Sequence, residues 1–254
     1  YWRQRFNDGE GTLIGGYLDV TDYVDAFGAG SPWTGFINLA FSTGSASMFL
    51  PNDATLGLAA GAMLTENLYV VGGITNAYSD AADPFDDSFD RFFNDGEHFM
   101  TFELGWTGSQ ERIFLDYTHV TLWRVDDSVQ AGAQEGWGAA FSHVRYLDKK
   151  WMPFVRGGYA EDGGSLLQKS LSVGVLRQQN PGADLFGVGL NWGEPNEATI
   201  GPGLDDQYTV EAFYRIPVTQ QLAITPSIEY LKNPALNQQD ESIWVVGVRA
   251  RLAL

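Results

Sequence analysis

A chain of 254 residues with a formal net charge of −17, 30 glycines, 14% aromatics and no cysteine is long enough for one large domain, and it can form neither disulfides nor thiolate metal sites. The acidic balance argues against nucleic acid as a partner, because so few basic residues would neutralise few phosphates. No apolar run reaches the ~18–20 residues of a membrane-spanning helix; the longest, Leu56 to Leu64, is largely glycine and alanine.

In chain order, period-two alternation predicts thirteen strands, over 1–7, 12–20, 55–65, 67–77, 97–107, 112–123, 136–147, 151–160, 168–177, 184–192, 207–216, 220–230 and 242–253. Most have the roughly 9–11 residues that a tilted strand needs to cross a bilayer, more than the ~5–6 usual in soluble sheets. A hydropathy scan misses such strands because lipid-facing and lumen-facing residues alternate. The chain begins within a strand, without an initiator Met or a signal peptide, so the expected barrel is incomplete at its N-terminus.

The connections alternate in length. Glu66, Gly108–Glu111, Asp148–Lys150 and Pro217–Thr219 are short, and Gln178–Ala183 falls on the same side with intermediate length. Tyr78–Gly96, Arg124–Glu135, Glu161–Leu167, Gly193–Asp206 and Leu231–Glu241 are long. Tight turns at one end and long loops at the other mark an outer-membrane barrel, whose tight turns are periplasmic. The fold expected is therefore all-β, an antiparallel up-and-down transmembrane β-barrel, with residues 1–254 as one domain. Strand parity makes 21–54 a single long loop on the extracellular side, able to fold into the lumen as a constriction; a pair of further strands, suggested by the strand-like hydrophobicity of Trp33–Phe41, is the alternative.

Alternation also assigns faces. In the last strand Val246, Val248, Ala250, Leu252 and Leu254 share one face, and Arg249 and Arg251 the other. An arginine on the lipid face costs ~2–4 kcal/mol near the midplane, so both arginines face the lumen. The same reasoning turns Thr209, Glu211, Phe213 and Arg215 inward, with Glu229, Glu103, Asp116, Arg145, Arg156, Asp19, Arg3 and Arg5 on their own strands. Charges of both signs on an interior face imply water inside, since burying them unpaired costs several kcal/mol. Trp106, Trp123, Trp151, Trp192 and Tyr230, near strand ends, are expected to form an outward interfacial girdle.

The segments Glu211-Ala-Phe-Tyr-Arg-Ile-Pro-Val-Thr, Leu222-Ala-Ile-Thr-Pro-Ser-Ile-Glu-Tyr-Leu and Val245-Val-Gly-Val-Arg-Ala-Arg-Leu resemble the carbohydrate-selective porin family of the OprB type. Gly16-Tyr-Leu-Asp-Val-Thr-Asp-Tyr, Phe92-Phe-Asn-Asp-Gly-Glu and Glu103-Leu-Gly-Trp are similar to further segments of that family. The resemblance implies an outer-membrane barrel of about sixteen strands, roughly three of them missing from the N-terminus, that passes small sugars by diffusion. It implies outer-membrane lipid, lipopolysaccharide and the barrel-insertion machinery as partners. The chain departs from the common pattern by ending on Leu254 rather than an aromatic residue.

A sugar-passing lumen needs polar side chains for hydroxyls and aromatic faces for the ring. The inward charges supply the first; Tyr17 and Phe213 supply the second, joined by Phe36 if the long loop turns inward. The acidic stretch 79–97, with Asp80, Asp83, Asp86, Asp87, Asp90, Asp95 and Glu97 against Arg91, matches no EF-hand spacing and reads as a solvated loop. No metal, cofactor or catalytic residue is assigned. Ser142 and His143 are strand neighbours and point apart, Asp116 and His119 also face opposite ways, and no Gly-x-Ser-x-Gly elbow occurs. A general or anion-leaning porin is the alternative channel, and a soluble all-β carbohydrate-binding domain is the alternative outside channels.

Overall fold

The computed structural model describes every residue except Ala81, Pro84, Asp86, Gln179, Asn180, Pro181, Ala183 and Leu254. Its strands are β1 (Trp2–Phe6), β2 (Gly11–Leu18), β3 (Thr55–Met63), β4 (Leu68–Asn76), β5 (His98–Thr107), β6 (Tyr117–Val125), β7 (Gly136–Val144), β8 (Trp151–Asp162), β9 (Leu167–Gln178), β10 (Leu185–Pro195), β11 (Gln207–Pro217), β12 (Leu222–Lys232) and β13 (Ser242–Leu252). They form one antiparallel sheet in strict chain order, the up-and-down arrangement that alternation and tight turns predict. Asp86, Leu254 and most of the 178–183 connection lie outside the described residues.

Register fixes the two faces, because a slip of one residue would exchange them. One row across β4 to β8 runs Val71, Glu103, Thr121, Ala140, Gly158. The adjacent row runs Val70, Leu104, Val120, Phe141. The first row points to the concave side and the second to the outside. Leu104, Leu122, Leu190, Ile228 and Val246 are all exposed on that outer face. A continuous apolar surface of this extent is unfavourable against water and matches hydrocarbon. Trp106 and Trp151 are also exposed on this side.

Trp123 corrects the expected girdle. It is only 3% exposed and faces inward, because Val120 and Leu122 take the outward positions of β6 and alternation leaves it the other side. It lies over Gly138, where a Cβ would meet the indole at 2.5 Å.

The connections also differ from expectation in two places. β6 starts at Tyr117 rather than near 112, since Gln110–Arg112 forms a 3-10 turn and the Arg112 carbonyl accepts from the N–H groups of Leu115 and Asp116. The short-turn end therefore carries one longer segment, 108–116. At the other end the β8–β9 connection shrinks to residues 163–166, because both strands extend beyond their predicted ends.

Residues 19–54 contain no strand, only 3-10 turns at Val20–Asp22, Leu39–Phe41 and Thr43–Ala46. The segment packs against the inner face of the sheet, and the buried apolar residues lie between the two. Phe36 meets Phe41, Phe213 and Phe154 with ring centroids 4.6, 5.0 and 5.8 Å apart. Met48 and Phe49 pack with Phe99, Trp123 and Val125. Inner-face glycines make room for this: a Cβ at Gly189 would lie 2.6 Å from the Phe41 ring.

Candidate functional site

The inward segment is attached at two places, each by charged side chains that the strands turn inward. At the first, Asp25 is buried against β5, β6 and β8. Its carboxylate meets Arg156 Nη2 at 2.5 Å and His119 Nε2 at 2.6 Å, and accepts the Gly44 N–H at 2.5 Å. Its own N–H donates to Glu103 Oε2 at 2.9 Å, and Thr121 Oγ1 donates to the same oxygen at 2.7 Å. Arg156, fully buried, also donates to the carbonyls of Phe41 (2.8 Å) and Ser42 (3.0 Å) and to Ser142 Oγ (3.0 Å). Every charge in this cluster thus has a partner, which is the condition for burying it. Burial by itself pushes the Asp25 carboxyl up, but Arg156, His119 and the Gly44 N–H outweigh it and hold the group below the usual carboxylate range. Asp25 has a positive φ of 44°, a conformation Asp tolerates better than most residues.

At the second attachment, Glu211 on β11 accepts the backbone N–H groups of Ile37 at 2.7 Å and Asn38 at 2.9 Å. The Asn38 side chain donates to Glu229 on β12. Arg249 on β13 donates to the carbonyls of Pro32 and, at 2.8 Å, Gly35. Between the two attachments Ser172 Oγ donates to the Ala40 carbonyl at 2.7 Å. Glu103, Arg156, Glu211, Glu229 and Arg249 therefore hold the inward segment, with Phe213 packed beneath it.

The remaining sequence candidates fall into three groups. Arg3 and Arg5 pair in register with Ile14 and Thr12, which places them on the inner face near the β1 edge. Arg215 and Arg251 line a cavity of about 640 Å³ at the short-turn end, together with Gln221 and Thr219. Neither arginine forms an ion pair among the described residues. Four candidates are corrected. Tyr17 pairs with Leu56 on the outer face and meets Phe85 at 5.3 Å. Asp19 lies past the end of β2, accepting the Thr21 N–H at 2.9 Å as a helix cap. Asp116 and Arg145 both lie beyond strand ends at the short-turn rim, ion-paired at 3.1 Å, with Arg145 over the outward Trp106 ring. Both stand on the outward parity of their strands; the ion pair between them satisfies the buried Asp116 carboxylate, while Arg145 is 43% exposed.

Sequence reasoning missed Asp25 and His119. His119 shares the inward parity of Thr121, which was a usable signal; nothing local distinguished Asp25 from the other acidic residues of its segment.

A family model for the carbohydrate-selective porin, OprB family, matches residues 115–254. Among curated proteins no sequence matches. Among solved structures, the chain is similar to the high-pH structure of Pseudomonas putida OprB, with a TM-score of 0.72 and 15% identity over 98% of this chain and 71% of that one. The low-pH structure of the same protein gives 0.55 and 13%, over 98% and 64%. A triple mutant of the Rh. blastica porin gives 0.55 and 12%, over 94% and 72%. Those identities speak for the fold: a porin-type antiparallel barrel wall. The family match covers more than half of the sequence and includes β6 to β13, and on that ground the chain belongs to the carbohydrate-selective porin, OprB family.

Proposed function

We propose that the protein is an outer-membrane porin through which small sugars diffuse passively, past a constriction formed by residues 21–54. The observation that carries this is the double attachment of that segment, through Asp25 to Arg156 and through Ile37 and Asn38 to Glu211. A segment held by buried charge pairs and backbone hydrogen bonds keeps one position and narrows the lumen permanently. Its polar surroundings suit hydroxyl-bearing solutes, which exchange hydrogen bonds with charged groups on passage. Residues 1–254 act as one domain in this reading. Its outer apolar face meets membrane lipid, its long-loop end meets lipopolysaccharide, and the barrel-insertion machinery places it there. The lining candidates are Arg3, Arg5, Arg215 and Arg251, with Glu103, Arg156, Phe213, Glu211, Glu229 and Arg249 fixing the segment.

The test is conductance in planar bilayers with added glucose or maltose. Concentration-dependent reduction of the ion current is expected; an unchanged current removes the main support for sugar passage. An anion-leaning general porin is the second reading, favoured by the inner-face arginines outside ion pairs. Reversal potentials in a salt gradient separate the two.

A further inference from the structure

The acidic connection between β4 and β5 is tied to the outside of the barrel wall. Within it Ser88–Asp90 forms a helical turn that continues as a π-type turn over Arg91–Asp95. The Asn76 side chain donates to the Ser88 carbonyl at 2.9 Å. His98 Nε2 lies 2.7 Å from the Phe92 carbonyl, and the two rings meet edge-on at 5.0 Å. Arg91 stands over the Tyr78 ring at 5.2 Å. Asn76 and His98 are opposite each other, one position beyond the inward pair Thr75 and Phe99, so both have outward parity. Phe85, just before the turn, packs on the outward Tyr17 at 5.3 Å. The segment is therefore folded over the outer rim of β2 to β5 at the long-loop end. Each of these strands has both its neighbours in the sheet, so closing the wall elsewhere leaves this surface as it is.

Residues four apart share one face of a helix, and three such pairs here differ in kind. Ser88 and Phe92 face the barrel. Phe89 and Phe93 stack with ring centroids 6.4 Å apart and are 55% and 71% exposed. Asp90 and Asn94, joined by a hydrogen bond of 2.8 Å, are exposed as well. One apolar face and one polar face, on a segment held against a body, is the form of an element that lies in a membrane–water interface. The outward face of the same strands carries exposed Leu58, Phe102 and Leu104. The two phenylalanines extend that apolar surface at its rim, and what covers the surface covers them. Asp90 gains nothing from anionic headgroups, so the contacts to Asn76, Tyr78 and His98 do the fixing that basic residues do in most interfacial helices.

We propose that residues 88–95 form an interfacial anchor: Phe89 and Phe93 enter the acyl-chain boundary of the outer leaflet, while Asp90 and Asn94 stay in the headgroup water. The proposal rests on the outer-membrane reading and adds to it a lipid contact made by a connection rather than by a strand. It replaces the solvated loop expected of this acidic stretch.

The chain has no cysteine, so each single-cysteine variant takes one nitroxide label. The full chain is folded in phosphatidylcholine vesicles as F89C, F93C, D90C and L104C, and circular dichroism reports that each keeps its sheet. Collision of the label with oxygen, which concentrates in hydrocarbon, is compared with collision with a nickel chelate confined to water. L104C is expected to favour oxygen, D90C to favour nickel, and F89C and F93C to shift to the side of L104C. Nickel-favoured collision at F89C or F93C, with L104C favouring oxygen, overturns the anchor and leaves the membrane reading intact. Failure of both reagents to reach F89C and F93C means that protein covers them, which also overturns the lipid contact. Nickel-favoured collision at L104C overturns the anchor together with the membrane reading beneath it.

Discussion

Arg156 on β8 and Asp25 on the inward segment meet at 2.5 Å, 131 positions apart in sequence and both buried. The guanidinium uses its remaining donors on the segment's own carbonyls and on Ser142, so one side chain joins the barrel wall to its contents. Removing the carboxylate would leave a buried cation uncompensated. D25N is expected to destabilise the protein by about 3–5 kcal/mol and to raise single-channel conductance as the segment loosens. Thermal unfolding in detergent and bilayer recordings check this. Replacing both partners with apolar residues, D25L with R156M, should recover part of the stability; no recovery would mean that the pair is not what holds the segment.

The same pair sets a pH dependence. Asp25 has a folded-state pKa below its unfolded value of about 3.9. Its contribution is therefore fully present above that unfolded value and is lost as pH falls through the lower folded one. Conductance should stay constant from about pH 5 to 8 as far as this group is concerned, with loosening confined to pH below ~4. Loosening that D25N abolishes, but with a midpoint above about pH 5, would contradict a lowered Asp25 pKa.

Glu211 makes a separate prediction because its partners are backbone N–H groups. E211A leaves the amides of Ile37 and Asn38 without their acceptors, at about 1–3 kcal/mol for each one that stays buried. Amide hydrogen exchange at those two positions should quicken, while exchange within β5 to β8 should hardly change. Equal acceleration in both regions would point to general unfolding instead.

The inner-face glycines are spacers for the inward segment. G189A would bring a Cβ to 2.6 Å of the Phe41 ring, and overpacking of this kind costs about 1–3 kcal/mol. We expect a lowered melting temperature and weaker retention of the segment. An unchanged melting temperature would mean that Phe41 shifts aside without cost.

Leu190 on the outer face of β10 is exposed between strands whose outward residues are apolar. L190R should cost ~2–4 kcal/mol if that face meets the hydrocarbon midplane. A surface facing water would tolerate the change within roughly 0.5 kcal/mol. Folding free energy measured in lipid vesicles distinguishes the two.

By itself the sequence determined the thirteen strands and their sequential pairing, and in the C-terminal strands also the inward face, since alternation is a local property of the extended chain; in β2, β6 and β7 the opposite parity from the expected one faces inward. Arg249 and Arg251 could be turned inward from two positions and an energetic cost. The same inference failed for Asp19, Asp116 and Arg145, because their strands turn the opposite parity inward, with Leu18, His119 and Val144 buried on that face, and because the strands also end before reaching them, at turn hydrogen bonds such as those to the Arg112 carbonyl. Tyr17 went with Asp19, because the glycine-rich β2 offers little side-chain contrast to set its parity. Only the tertiary structure decided what fills the barrel. The strand residues that Asp25 meets, and the segment residues that Glu211 and Arg249 meet, lie between 78 and 217 positions away, and contacts at that range form only once the sheet has curved around the segment they hold.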